Sequence, residues 1–217
     1  MKKNRIALTI LTVTFSLLYP GQESVAQKNS CVSNNLIAGI PKASLNEEEK
    51  EGLILMREEE KLARDVYITL GNTYGIPVFK NISRAEQTHT DAIKALLERY
   101  NIDDPVKDNT VGVFTSPELS GLYKTLTDKG SKSLMDALMV GATIEDLDIK
   151  DLNELIKKSD NEDIIVTYKN LNKGSRNHMR AFARQISNRA GSYKPQYISQ
   201  AEFETILSSP HERGFIR

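Results

Sequence analysis

Along four long stretches of this chain, apolar side chains recur at alternating steps of three and four residues, the spacing that gathers them on one face of an α-helix. The first stripe reads Leu53, Met56, Glu60, Ala63, Tyr67, Leu70, and the second Ile82, Glu86, His89, Ile93, Leu96. The third reads Leu138, Ala142, Glu145, Ile149, Leu152, Ile156, and the fourth Ile164, Tyr168, Leu171, Ser175, His178, Phe182. The pattern predicts helices from Ser44, where Ser44-Leu45-Asn46-Glu47 has capping-box spacing, to about Thr73, and from Asn81 or Ser83 to Tyr100. Two more are predicted over Ser131–Lys158, with an interruption near Gly141 or Thr143, and from Asp160 to about Arg189. Residues 101–130 form a long connection holding one short helix opened by Ser116-Pro117-Glu118, and another short helix is expected near Gln200–Leu207. Four long helices with one long link between the second and third give an all-α antiparallel four-helix bundle with a crossover.

Each stripe is apolar except near its middle, where a carboxylate or an imidazole intrudes. A lone buried carboxylate costs several kcal/mol or takes up a proton unless something compensates it. Glu60, Glu86, His89, Glu145 and His178 meeting at one level of a bundle are economically explained as ligands of a bound cation. Each also has a plainer reading. Glu86 follows Ser83 by three and would complete a capping box, and His89 would be a satisfied core histidine. Glu59, flanked by Leu55, Leu62 and Val66, competes with Glu60, while Glu58 is expected in solvent. Asp148 either supports a ligand from behind or is an exposed acid. Tyr67 and Tyr168 read as core aromatics, although a tyrosine beside a redox metal can donate a hydrogen bond or an electron. His211 reads as surface.

Composition narrows the function classes. The 217 residues carry 29 basic and 29 acidic side chains, so there is no net charge with which to neutralise phosphates, and no nucleic-acid partner is expected. A single cysteine, Cys31, excludes an intrachain disulfide framework and a thiolate zinc cluster. The start of the chain has a different character. Lys2, Lys3 and Arg5 precede a mostly apolar run from Ile6 to Tyr19, Pro20-Gly21 breaks it, and Ser24-Val25-Ala26 supplies small residues for cleavage after Ala26. Residues 1–26 therefore read as a secretory signal peptide, which implies a periplasmic or extracellular protein with no membrane attachment once it is removed. Residues 27–43 read as a flexible linker, 44–200 as the folded domain and 201–217 as a tail.

The residues on these stripes resemble a known superfamily. In ferritin-like di-metal carboxylate proteins two helices each give a Glu and two each give Glu-x-x-His. Glu86-Gln87-Thr88-His89 is one such motif, and Glu60-Lys61-Leu62-Ala63-Arg64-Asp65-Val66-Tyr67 is similar to the Glu-x-x-Ala-Arg-x-x-Tyr of the first rubrerythrin helix. Glu145-Asp146-Leu147-Asp148 is similar to the acidic pair of the third helix, with Asp in place of a second Glu. More closely, Leu53 to Gln200 resembles the ferritin-like domain-of-unknown-function family 2202. Its phrases stand here as Met56-Arg57-Glu58-Glu59-Glu60, Gly174-Ser175-Arg176-Asn177-His178 and Tyr193-Lys194-Pro195-Gln196-Tyr197. The resemblance implies a ferritin-like fold but no established activity. One departure stands out: the fourth helix has Ser175-x-x-His178 where the di-metal pattern has Glu-x-x-His. A serine hydroxyl brings no charge and cannot span two metals, so one ion held tightly and a second weakly is the expectation.

Oxygen and nitrogen donors without thiolate suit iron, manganese or zinc, one or two ions per chain. The superfamily resemblance favours iron and a rubrerythrin-like oxidase or peroxidase acting on oxygen or peroxide. No four-cysteine rubredoxin module is present, so turnover would need an external electron donor. A homodimer is compatible with the superfamily. The competing class is an exported helical protein without metal, structural or partner-binding, with the buried acids and imidazoles paired to Arg64 or Arg176.

Overall fold

The computed structural model describes residues 37–216, and these form α-helices without strands. Helix α1 spans Glu47–Tyr74, α2 Pro77–Tyr100, α3 Pro117–Gly130, α4 Leu134–Lys158, α5 Glu162–Ser187 and α6 Gln200–Ser208. The expected signal peptide and residues 27–36 of the expected linker lie outside the described residues. None of the described helices is long and apolar enough to cross a membrane.

Local chemistry sets the helix ends and corrects several predicted boundaries. The capping box of α1 is Asn46 with Glu49, in which the Asn46 side chain accepts from the Glu49 N–H and the Glu49 carboxylate accepts from the Asn46 N–H. The Ser44 spacing is not used. The second helix starts at Pro77, one turn or more before the expected Asn81 or Ser83, because proline needs no intrahelical partner for its nitrogen at the first position. Ser83 is therefore inside α2, its hydroxyl bonding back to the Lys80 carbonyl, and Glu86 has no capping role. Helix α4 runs without a break through Gly141 and Thr143. Thr143 donates its hydroxyl to the Met139 carbonyl, and the Phe182 ring fills the space beside Gly141 where a Cβ would stand.

Contacts fix the direction of each helix. Arg57 meets Thr90 and Gly71 meets Phe79, so α1 and α2 run antiparallel. Gly141 meets Phe182 and Asn153 meets Asn172, so α4 and α5 do the same. Tyr67 reaches Gly141 while Gly52 abuts Leu155, setting α4 antiparallel to α1. Helices α2 and α4 consequently run the same way, which is why the chain between them must cross the full length of the molecule.

Every apolar residue of the four stripes is buried except Ile156, which is half-buried. Burying each large side chain contributes about 1.5–3 kcal/mol. The interior nevertheless falls into two apolar clusters. One holds Tyr67, Leu70, Phe79, Ile82, Leu138 and Phe182, and the other Leu53, Met56, Ile93, Leu96, Leu152, Ile164 and Tyr168. Between them along each helix stand the polar positions of the stripes. Residues read as linker and tail also pack. Ile37 is buried, the Ile40 carbonyl accepts from Arg99 at 2.5 Å, and Phe203 and Ile206 of α6 join the core. Beyond α6, Arg176 and Arg180 both grip Glu212, and Asn170 exchanges two hydrogen bonds with Ile216.

Candidate metal centre

The five residues singled out on the stripes meet in space. Glu60 comes from α1, Glu86 and His89 from successive turns of one face of α2, Glu145 from α4 and His178 from α5. All three carboxylates are nearly inaccessible, and the histidine side chains keep about a tenth of their surface. Glu86 stands at the centre. Its Oε2 lies 2.8 Å from Nδ1 of His89 and its Oε1 lies 2.9 Å from Nδ1 of His178. His89 also approaches Glu60 at 3.2 Å, and His178 approaches Glu145 at 3.4 Å. The imidazoles stack with centroids 5.5 Å apart. Two overlapping donor sets result, Glu60–Glu86–His89 and Glu86–Glu145–His178, each with donor atoms within 4.8 Å of one another. Bonds of about 2.0–2.2 Å put the donors of one ion no more than a little over 4 Å apart, so each set is gathered on the scale of a single ion.

Two atoms of this cluster lack a hydrogen-bonding partner among the described residues. Glu60 Oε1 and His178 Nδ1 are buried without one, the latter because its near approaches to Glu86 and Glu145 are poorly aligned. Buried polar atoms are seldom left so, and each unpaired one costs about 1–3 kcal/mol. The cationic side chains expected to balance the acids are engaged elsewhere. Arg64 bonds Asp65, Gln87 and Asn109, and Arg176 bonds Glu212 and Asn172.

Electrostatics follow from that crowding. Burial pushes Glu60 up to about 8, with Glu86 adding to the rise and His89 opposing it. Burial alone would depress His178, but Glu86 and Glu145 outweigh it and hold the imidazole up to about 10. His89 is raised in the same way by Glu60 and Glu86. Burial works to raise Glu86 too, yet the two imidazoles beside it hold it well below the ordinary carboxylate range. Burial and the Glu145 charge keep the Tyr67 phenol protonated, and it donates to Glu145 Oε1 at 2.6 Å. Tyr67 is thus both a core aromatic, tilted against Phe79 and Phe182, and the group that orients one carboxylate.

Of the open alternatives, Glu60 rather than Glu59 reaches the cluster. Glu59 is half-buried beside Asp148 and Asp151, and burial with those two charges lifts it to about 8. Glu58 is half-buried, Tyr168 sits in the second apolar cluster, and His211 is exposed. Gly174 is seated against His89, where a Cβ would lie 2.5 Å from the ring, and Ser175 donates its hydroxyl to Asp148.

Several buried charges away from the centre have no periodic signal. Asp65 is fully buried and accepts from Lys61, Arg64 and the Gly112 N–H. Lys61 also donates to the carbonyls of Thr110 and Val113, so the Lys61-x-x-Arg64-Asp65 phrase clamps the crossover onto α1. Asp146 accepts from the Tyr193 hydroxyl and from the N–H groups of Gln196, Tyr197 and Ile198. The spacing of Lys61 and Asp65 by four was the only available hint.

An all-helical protein whose interior is divided by a carboxylate–histidine cluster is the class these features define. The chain belongs to the family described as "Uncharacterized protein domain (DUF2202)", whose model matches residues 49–210. It is 61% identical over 181 residues to "Uncharacterized protein MJ0754" of Methanocaldococcus jannaschii, covering 83% of this chain and 98% of the relative. A crystal structure of hypothetical protein MJ0754 from Methanococcus jannaschii superposes with a TM-score of 0.79, covering 80% of this chain and 99% of that one.

Proposed function

We propose that this protein is an exported ferritin-like four-helix-bundle metalloprotein, and that Glu60, Glu86, His89, Glu145 and His178 hold its metal. The observation that carries the reading is the pair of buried atoms without a hydrogen-bonding partner among the described residues, Glu60 Oε1 and His178 Nδ1, in a cluster from which Arg64 and Arg176 are both turned to other partners. A bound cation would give both atoms the partner they lack. The antiparallel registers and the crossover between α2 and α4 support the ferritin-like topology. Iron fits the donor set, with manganese and zinc as alternatives. Bound iron would supply redox chemistry toward oxygen or peroxide, with electrons from an external donor.

The chain's own residues perform definable tasks around such an ion. Glu86 presents one oxygen to each histidine, which suits it to link the two donor sets. Tyr67 fixes Glu145 and keeps a proton at its phenolic oxygen. Tyr67, Phe79 and Phe182, with centroids 5.3–6.3 Å apart, wall the cluster against water on one side. Export rests on the basic start, the apolar run of residues 6–19 and the small residues before Gln27.

A metal-free helical protein is the second reading. It is favoured by the 2.8 Å and 3.2 Å approaches of His89 Nδ1 to Glu86 and Glu60, which the positive charge of a protonated imidazole would stabilise. Elemental analysis of the purified chain separates the two. Stoichiometric iron, manganese or zinc, lost in a Glu86→Gln/His178→Gln variant that keeps its helical circular dichroism, is expected. Metal-free protein that also refuses added metal would leave only the second reading. Mass spectrometry of the same material is expected to place the mature N-terminus at Gln27; an uncleaved Met1 start in protein recovered from the cytoplasm would contradict export.

A further inference from the structure

Ser175 is not simply a gap in the ligand set. Its hydroxyl is fully buried and donates to Asp148 Oδ2, while the Leu171 carbonyl lies 3.1 Å away as an alternative acceptor. Asp148 follows Glu145 by three on α4, and Ser175 precedes His178 by three on α5, so both pairs lie on one helical face. The Glu145–His178 approach and the Asp148–Ser175 bond are therefore successive rungs between α4 and α5. Gly174, the neighbour of Ser175, abuts the ring of His89, so the Asp148–Ser175 rung joins α5 one residue from its contact with the Glu60–Glu86–His89 donor set.

We propose that Asp148, positioned by Ser175, is the fourth carboxylate of the centre and bridges two divalent ions on the side opposite Glu86. The inference rests on the metal-binding reading above and extends it to the number of ions and the ligand that permits the second. Each donor set offers three residues, one short of a closed four-coordinate site, and one further carboxylate with two oxygens can complete both. Charge leads to the same count. Glu60, Glu86, Glu145 and Asp148 bring four negative charges, which balance two divalent ions when both histidines are neutral. With three carboxylates, a second ion would leave an uncompensated buried charge. Helix α5 gives up the bridging glutamate of the ferritin-like pattern, and α4 supplies a shorter acid from one turn beyond Glu145. Ser175 is then a positioning residue whose hydroxyl aims that acid, and the longer side chain of a glutamate at 175 would compete with Asp148 for the same space.

The test uses the full chain loaded with manganese(II), dialysed and assayed for metal-to-protein ratio, with electron paramagnetic resonance as a second readout. Wild type is expected to hold two ions with a spin-coupled signal. Asp148→Asn is expected to hold one, with the spectrum of an isolated ion, and Ser175→Ala to weaken the second ion about 10–100-fold. Exchanging the pair, Asp148→Ser with Ser175→Asp, is expected to restore the second ion, which a merely structural role for Asp148 would not do. A single ion in wild type, or two ions held equally well by Asp148→Asn, overturns the bridge while leaving the metal centre intact. No bound manganese in wild type, with zinc and iron(II) also refused, overturns the centre itself. Should Asp148→Asn fail to fold, two tightly held ions in Ser175→Ala would still overturn the positioning role.

Discussion

Gly174 carries a constraint out of proportion to its size. The His89 ring occupies the volume that any Cβ at 174 would need, with Cε1 and Nε2 both 2.5 Å from that point. Alanine there would gain up to about 1 kcal/mol of helix propensity, but an overpacked contact costs about 1–3 kcal/mol. The imidazole is the part able to move, and moving it breaks the 2.8 Å approach to Glu86. Gly174→Ala is therefore expected to leave urea stability within about 2 kcal/mol of wild type while weakening metal binding about 10–100-fold in a chelator competition titration. Wild-type affinity would show that the ring's place against α5 is incidental. The constraint was invisible in the sequence, where Gly174 is one more small residue in a helix. The five stripe residues were legible because a charge at a core position breaks a period.

At the scale of elements, the helices were legible and what ties their connections down was not. Periodicity finds residues that face other helices; Asp65, Asp146 and Glu49 face loops, and no repeat marks a partner that lies far away in sequence. Glu49, for instance, accepts from the backbone N–H groups of Asp160 and Asn161 at the start of α5. Helix α2 starts before the position its pattern predicts for a related reason: Ile76 caps it without a side-chain bond, so Pro77 is the one local marker of its first turn. Asp146 shows what such anchors contribute. Its carboxylate holds three N–H groups and the Tyr193 hydroxyl, pinning residues 193–198 to α4 and leading into α6. Asp146→Ala strands those donors, and a loss of about 2–4 kcal/mol in chemical denaturation is expected. Protease cleavage should appear selectively between α5 and α6. An unchanged midpoint would mean that α6 docks through Phe203 and Ile206 alone.

For the whole molecule, the clustered titrations set two opposite pH dependences. In the metal-free protein His178 stands at about 10 and Glu60 at about 8, both above their unfolded values. A raised pKa stabilises fully below the unfolded value and loses that effect as pH climbs through the folded one. The contribution of Glu60 therefore fades between about pH 4.5 and 8, and that of His178 between about 6.5 and 10. Bound metal reverses the sign, because the same groups must shed their protons to act as ligands. Melting temperatures with and without chelator should nearly coincide near pH 5 and separate increasingly toward pH 9. Parallel curves would show that the cluster does not hold the ion.

The two-residue link between α1 and α2 has a consequence for the order of events. Glu60 and His89 are 29 positions apart, whereas Glu86 and His178, which close the other donor set, are separated by about three times that length of chain. Each doubling of a closed loop adds about 0.6 kcal/mol of lost chain entropy, so the first set forms about 1 kcal/mol more cheaply in an incompletely folded chain. All three of its donors have been synthesised by residue 89, before any of α4 exists. An ion met at that stage would be captured by the first hairpin and carried into the fold, so that assembly of the second hairpin proceeds around a charge already in place.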